Sequence, residues 1–247
     1  SFYNSFYMIL FFFGLLKLLT GEMMVFPKAE TASQDKKNTL RDIKNENKDQ
    51  QKDAMAFLTH NNLIKQPLRN KWTLWYLQRD MSKSWEENQN EITSFDTVED
   101  FWSLYSHIKL PSEIGHGSDY SLFKKGIRPL WEDEANINGG RWVINLVRRR
   151  HDVDNIWLDV ILCLIGESFQ HSDQICGAVV SIRNNVDKIS VWTANGQNQV
   201  TVMEIGRKLK ESLRIESKKL SLQYILHKDT TMMGKQSGTI KAIYTIK

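Results

Sequence analysis

The chain has 247 residues, of which 41% are hydrophobic and 25% charged, as is ordinary for a globular protein. This length allows one large domain, or one domain with a long tail. The formal net charge of +4 permits a local phosphate site but is too low for a protein that coats nucleic acid. The two cysteines, Cys163 and Cys176, form no CxxC pair. This excludes a disulfide-rich scaffold and favours a reducing compartment.

The first 61 residues differ in composition from the rest of the chain. Phe6–Leu19 is almost continuously apolar. It is shorter than the roughly 20 residues of a membrane-spanning helix, and no basic stretch precedes it as in a signal peptide. We interpret it as a fragment edge, an alternative exon or a mistranslated leader, with a targeting or membrane role as the alternative. Lys28–Asp53 has too few apolar residues to fold. We therefore predict an apolar leader and a disordered linker over residues 1–61, and one domain over residues 62–247.

Alternation of apolar and polar residues predicts β-strands in four stretches of this domain. The second stretch passes through an Asn184-Asn185 turn, which predicts a hairpin. The alternating apolar positions are Trp142, Ile144 and Leu146; Ala178, Val180, Ile182, Ile189 and Val191; Leu220, Leu222, Tyr224 and Leu226; and Ile240, Ala242, Tyr244 and Ile246.

Three other stretches have the apolar spacing of helices. The first begins at Asp96-Thr97-Val98-Glu99, a capping-box sequence, and is stopped by Pro111. The second begins after Asp154, which is placed to cap it, and the third carries an apolar stripe from Val202 to Leu213. Half-apolar strands separated by single helices predict an α+β fold. In this fold the helices pack on one face of an antiparallel sheet and leave the other face free for a site.

Eight tryptophans are more than is usual for a chain of this length. Some lie in polar loops and others in periodic segments. Trp85 and Trp131 lie in polar loops, where a ring either folds onto the domain edge or stacks on a flat ligand. Glu132 offers a bidentate acceptor that can meet two parallel N–H groups of a guanine edge. Taken alone, it is more simply an ordinary solvated acid. Packing in the core explains the tryptophans in periodic segments, which are Trp72, Trp75, Trp142 and Trp157.

Longer blocks of sequence carry a family resemblance, which runs from about Pro67 to the C-terminus. The blocks are Phe95–Trp102, Asp119–Phe123, Trp131–Glu134 followed by Gly139–Trp142, Leu162–Phe169 and Cys176–Val180. Together they resemble the cap-binding translation initiation factor 4E family. The resemblance implies a curved antiparallel sheet of about eight strands. Three helices would pack on its convex face, and the site for the 7-methylguanosine cap of messenger RNA would lie on the concave side.

The resemblance implies that two tryptophans, Trp85 and Trp131, sandwich the methylated base. Glu132 would bind the N1–H and N2–H edge of the base, and Trp192 would lie against the N7 methyl group. Methylation at N7 leaves the base cationic, so the indole faces attract it by cation–π interaction as well as by stacking.

The same resemblance assigns the triphosphate bridge of the cap to basic residues. Arg183 and Lys188 would hold it, with support from Arg141. Asn185 stands where the family usually has a lysine. This difference removes one charge that would face the phosphates.

A partner surface is implied on the helical side. Val98 and Trp102 share one face of the first helix, and Leu158 and Leu162 share one face of the second. With Pro67 at the edge, they would receive an amphipathic helix carrying a Tyr-x-x-x-x-Leu-apolar motif. That helix would come from the scaffold initiation factor 4G or from an inhibitory 4E-binding protein. The alternative for Trp102 is ordinary packing in the core.

We therefore predict a monomeric cap-binding protein that recruits the scaffold for translation initiation and is not an enzyme. Trp72 and Trp85 are both tryptophan, as in the initiation-competent class. The alternative within the family is a cap-binding paralogue that represses or specialises translation. From other classes, the alternatives are a hydrolase of capped nucleotides and a general binder of single-stranded RNA.

Against a hydrolase, the sequence has no Gly-rich phosphate loop, no clustered metal ligands and no activated nucleophile. Its six scattered histidines fit surface or helix-end positions better than the position of a general base. We expect no cofactor, no metal and no stable membrane association. The expected location is the cytoplasm, with the nucleus as a second compartment.

Overall fold

The computed structural model describes residues 65–78, 82–84, 87–147, 152–213, 220–229 and 242–247. The described compact unit runs from Pro67 to Lys247. The leader and linker predicted for residues 1–61 lie outside these ranges, and so does Ile240 of the last predicted strand. Within them, no helix is long and apolar enough to cross a membrane.

Eight strands form a single sheet in which every neighbouring pair is antiparallel. They are β1 (Pro67–Leu77), β2 (Gln89–Thr97), β3 (Asp119–Lys124), β4 (Gly140–Val147), β5 (Ile175–Ser181), β6 (Val186–Thr193), β7 (Leu222–Leu226) and β8 (Tyr244–Ile246). Their order in the sheet is β2-β1-β3-β5-β6-β4-β7-β8. The sheet is curved and open, so β2 and β8 form its edges. The predicted antiparallel sheet is confirmed, and the predicted hairpin is β5–β6.

Three helices pack against one face of the sheet, as predicted. They are α1 (Val98–His107), α2 (Val153–Ile165) and α3 (Gln199–Ser212). Residues 227–229 are also helical, so the described residues contain one α-helical segment more than the three predicted. The apolar stripe of α3 points into the core, because Val202, Ile205 and Leu209 are each at most 1% exposed. Two 3₁₀ segments, Pro111–Glu113 and Ser172–Gln174, lie in the connections that follow α1 and α2.

The predicted helix caps are wrong in both helices for which they were given. Thr97, not Asp96, caps α1: its hydroxyl accepts from the Asp100 N–H at 3.2 Å. Asp152, not Asp154, caps α2. The carboxylate of Asp154 accepts two hydrogen bonds from the 3₁₀ segment after α1. Adjacent Asp and Thr residues are nearly equivalent cap candidates in a sequence, so the tertiary contacts of each side chain decide between them.

The main core lies between the sheet and the three helices. Its largest side chains include Trp72, Trp142 and Trp157, each at most 2% exposed, and burying a large apolar side chain stabilises the fold by about 1.5–3 kcal/mol. Trp75 does not belong to this core. It is half-buried and pairs with Ser121 of β3, on the opposite face of the sheet. The core interpretation of Trp75 is therefore wrong, because side chains one or three positions apart in a strand lie on opposite faces.

Candidate functional site

A second, smaller apolar cluster lies on the face of the sheet away from the helices. Phe123, Cys176 and Trp192 are its buried members. The Phe123 and Trp192 rings meet edge to face, with their centroids 5.4 Å apart. Partly buried side chains pack against this cluster, namely Ile127, Trp131, Ala135, Val179 and Ala194. Trp131 and Trp192, which the resemblance assigned to one site, therefore lie in one cluster.

The loop between β3 and β4 presents Trp131 and Glu132. Trp131 is half-buried and Glu132 is exposed. Within the described residues, the Glu132 carboxylate makes no hydrogen bond or ion pair, so it is available to a ligand. The next residue, Asp133, braces the loop: its carboxylate accepts from the Arg128 N–H and the Ala135 N–H, each at 3.1 Å.

A pair of glycines lets this loop run directly against the neighbouring strands. A Cβ on Gly139 would lie 1.9 Å from the Thr193 carbonyl oxygen, and a Cβ on Gly140 would lie 2.6 Å from the Ile225 carbonyl oxygen. Real side chains do not approach that closely. Gly139 therefore brings the Trp131 loop close to the end of β6 that carries Trp192, and Gly140 lets β4 lie close to β7.

Arg141 and His227 surround Trp192 on the open face. Arg141 is the cross-strand partner of Trp192, and its guanidinium carbon lies 5.9 Å from the Trp192 ring centroid. The His227 ring packs against Trp192 with centroids 4.2 Å apart and ring planes tilted by 43°, and its Nδ1 is 3.5 Å from Arg141 Nη1. Burial, together with the charge of Arg141, lowers the pKa of His227 to about 3. The imidazole is therefore neutral at physiological pH and adds no positive charge beside Trp192.

The other predicted cations lie towards the far end of β6. Lys188 is exposed and lies on the same face of β6 as Trp192. The two residues are four positions apart, a distance of about 13 Å along the strand. Arg183 lies just before the β5–β6 turn, and Asp119 holds it through a bidentate pair with distances of 2.6 and 3.3 Å. Burial raises the pKa of Asp119, while the Arg183 guanidinium opposes that rise. The Arg183 side chain is still 42% exposed, so it is oriented by Asp119 but open to a ligand.

Trp85 lies outside the described residues, so its predicted stacking role stays a prediction. The nearest described residues, Ser84 and Glu87, hydrogen-bond to each other. The Ser84 N–H donates to the Glu87 carboxylate at 2.7 Å, and the Glu87 N–H donates to the Ser84 hydroxyl at 3.2 Å. These hydrogen bonds lower the pKa of Glu87.

The predicted partner residues lie on the helical side of the domain. In α1, Phe101 is the buried residue, at 2% exposure, and the neighbouring Trp102 packs edge to face on it with centroids 4.9 Å apart. Trp102 thus covers the outside of the core and stays partly exposed. Val98, Leu158 and Leu162 are also partly buried, and Pro67 is exposed.

The family profile described as "Eukaryotic initiation factor 4E" matches residues 67–242, which is most of the chain. The chain belongs to this family. It is 65% identical over 185 residues to eukaryotic translation initiation factor 4E1 of Drosophila melanogaster, covering 74% of this chain and 70% of that relative. It is 50% identical over 186 residues to the Homo sapiens factor 4E, covering 74% and 84%.

Solved structures of the 4E family share the fold. Ascaris suum eIF4E-3 with an m2,2,7G cap is 41% identical, with a TM-score of 0.68, and the match covers 74% of this chain and 99% of that one. Schistosome eIF4E complexed with m7GpppG and 4E-BP is 35% identical, with a TM-score of 0.68 and coverage of 74% and 100%. The comparison supports both the sheet and the arrangement of helices behind it.

Three residues at this face of the 4E-family fold were missed by reasoning from the sequence. Asp119 holds Arg183, His227 packs against Trp192, and Asn136 hydrogen-bonds to the backbone of the Trp131 loop. Asp119 and His227 act on residues far away in the chain. No spacing pattern in a single sequence marks such residues.

Proposed function

We propose that this chain binds the 7-methylguanosine cap of messenger RNA on the open face of the sheet. It acts as a binding protein and not as an enzyme, and it recruits the scaffold initiation factor 4G for translation initiation in the cytoplasm. The main support is the cluster that contains Trp131 and Trp192, with the exposed carboxylate of Glu132 beside it. Solved relatives with the same fold hold cap ligands.

The chemistry of the methylated base matches the residues of this cluster. A cationic purine gains cation–π attraction from Trp131 and, in the proposed site, from Trp85. Stacking contributes ~1–3 kcal/mol per base, and a hydrogen bond to charged Glu132 contributes ~1.5–3 kcal/mol. Association costs at least several kcal/mol. The surplus is consistent with a Kd of about 1 μM or lower, which corresponds to about −8 kcal/mol.

The triphosphate bridge is long and anionic, and the cations of the open face are spread out to match it. Arg141 lies at the Trp192 end of β6, and Lys188 and Arg183 lie towards the other end. Because Asp119 orients Arg183, its guanidinium loses less conformational freedom when a phosphate binds. We infer that the phosphate chain runs along β6, from Trp192 towards the β5–β6 turn.

Affinity should therefore depend on the number of phosphates and on salt. We expect 7-methylguanosine triphosphate to bind at least about tenfold more tightly than the monophosphate, and the difference to shrink in Arg183→Gln and Lys188→Gln. Arg207→Gln, an exposed arginine on α3 behind the sheet, is the matched control. Titration of each analogue at two salt concentrations measures the effect. Equal affinities for the two analogues in the unmodified chain would contradict this path.

Restoring the missing charge in the β5–β6 turn should strengthen binding modestly. Asn185 is exposed, so Asn185→Lys should increase affinity for the triphosphate analogue by about two- to fivefold at low salt, as expected of an exposed charge pair. Asn184→Lys places the same charge one residue away and serves as the control. An equal gain from both variants would indicate general attraction and not a contact with the bridge.

The partner surface is proposed on the opposite side of the domain. Val98 and Trp102 in α1 and Leu158 and Leu162 in α2 leave apolar surface partly exposed, with Pro67 at its edge. An amphipathic helix that carries a Tyr-x-x-x-x-Leu-apolar motif can cover such a surface. Solved relatives are bound to 4E-binding proteins, which supports this assignment.

Retention on 7-methylguanosine resin, followed by elution with free cap analogue, tests the proposed function. A hydrolase would return the analogue cleaved, and a general RNA binder would be eluted equally well by uncapped RNA. A repressor paralogue would bind the cap but fail to capture a 4G peptide. Relatives named as initiation factors, at up to 65% identity, favour initiation over that alternative. Failure of the folded chain to bind the resin would overturn the proposal.

A further inference from the structure

Asn136 is the most buried polar residue of the Trp131 loop, with a side-chain exposure of 0%. Its carboxamide Nδ2 donates to the Leu130 carbonyl at 2.7 Å and to the Arg128 carbonyl at 3.0 Å. Its backbone N–H donates to the Asp133 carbonyl, and its own carbonyl accepts from the Gly139 N–H, both at 2.8 Å. One residue therefore ties the loop backbone before and after Trp131 and Glu132.

The position of these hydrogen bonds matters for the two site residues. The Leu130 carbonyl belongs to the peptide plane that extends to the Trp131 Cα, so holding this carbonyl helps to set the direction in which the Trp131 side chain leaves the loop. The Glu132 side chain has no hydrogen-bond partner among the described residues. Only its backbone can place its carboxylate. Both site residues thus depend on the geometry of the loop.

A second observation concerns the other end of the carboxamide. Asn136 Oδ1 is buried without a hydrogen-bond partner in the described part of the chain. A buried acceptor without a partner is destabilising, so the hydrogen bonds made by the carboxamide nitrogen have to offset this cost. These hydrogen bonds reach the Arg128 and Leu130 carbonyls just ahead of Trp131, which gives a reason for an asparagine at this position.

We propose that Asn136 is a positioning residue of the cap site, which sets the directions of Trp131 and Glu132 by holding the loop backbone around them. This inference rests on the proposed function, because it concerns how the same site is kept in shape. Asn136 itself is fully buried, so its side chain is not accessible to a ligand at the surface of the domain. Its contribution lies in keeping the loop in the binding geometry before the cap arrives.

The test compares Asn136→Ala with Asn138→Ala. Asn138 lies in the same loop with an exposed side chain, and its backbone contact with Gly196 survives the change. We expect Asn136→Ala to weaken binding of 7-methylguanosine triphosphate at least about tenfold, and Asn138→Ala to change it less than about twofold. Binding of a Tyr-x-x-x-x-Leu peptide on the helical side, unchanged in both variants, serves as the check on folding. If Asn136→Ala does not fold, Asn136→Ser, which keeps one donor, takes its place.

A double-variant comparison separates positioning from a general loss of stability. Glu132→Gln should cost less affinity in the Asn136→Ala background than in the unmodified chain, because the carboxylate is already displaced there. If Asn136 has a purely structural role, Glu132→Gln should reduce affinity by the same factor in both backgrounds. That result, or unchanged affinity of Asn136→Ala, would overturn the inference while leaving the cap site intact. Failure of the unmodified chain to bind the analogue would instead overturn the proposed function.

Discussion

Glu132→Gln should reduce affinity for 7-methylguanosine triphosphate by about a hundredfold or more and remove retention on cap resin. The carboxylate offers two acceptors to the two N–H groups of the guanine edge, whereas an amide replaces one acceptor with a donor. Each hydrogen bond to a charged acceptor contributes ~1.5–3 kcal/mol, and each 1.4 kcal/mol corresponds to about tenfold in affinity. The expected effect is therefore among the largest of any single change in this chain.

The fold should survive this substitution. Glu132 is exposed and its carboxylate has no hydrogen bond or ion pair among the described residues, so the change in stability should stay within about 0.5 kcal/mol. Glu134→Gln is the matched control, because Glu134 is an exposed acid two positions along the same loop. Trp131→Ala should also lose binding, since it removes one wall of the stack. Normal retention of folded Glu132→Gln would show that another group recognises the guanine edge.

Much of the fold could be predicted from the sequence because it depends on periodicity. The alternation at Trp142, Ile144 and Leu146 requires one buried face, and all three are buried in β4. The predicted stripe from Val202 to Leu209 likewise matches the buried face of α3, and its last member, Leu213, is buried at the C-cap of the helix. In these elements the local pattern and the tertiary environment agree. The order of strands in the sheet does not follow from any such pattern, since it depends on pairing between distant segments.

Only some residues of the candidate site can be picked out from the sequence, and there is a physical reason why the others cannot. Trp131 and Glu132 stand out because a bulky ring and an acid adjoin in a polar loop. Asp119, Asn136 and His227 do not stand out, because each acts through contacts made only after folding. His227 shows this best: it is 1% exposed and neutral beside Trp192, although in the sequence it is one of six scattered histidines.

On the helical side of the domain, Trp102 has a structural role as well as a proposed binding role. Its ring packs on Phe101 with centroids 4.9 Å apart and lies near Tyr105 at 6.1 Å. The deeper aromatic position of α1 is nevertheless filled by Phe101, which is 2% exposed. Truncating Trp102 therefore removes a ring from the outside of the core and leaves the interior of the fold in place.

Trp102→Ala should abolish capture of a Tyr-x-x-x-x-Leu peptide while leaving retention on cap resin unchanged. A tryptophan at the centre of an apolar interface contributes at least about 2 kcal/mol to binding, which is about thirtyfold in affinity. The cluster that contains Trp131 and Trp192 lies on the other face of the sheet, so cap binding should not depend on Trp102. Val200→Ala, an apolar residue of α3 that is 66% exposed, should affect neither activity. Trp157→Ala leaves a cavity in the core, so it should lower the melting temperature and weaken both cap binding and peptide capture. If Trp102→Ala behaves like Trp157→Ala, Trp102 belongs to the core and the partner surface must lie elsewhere.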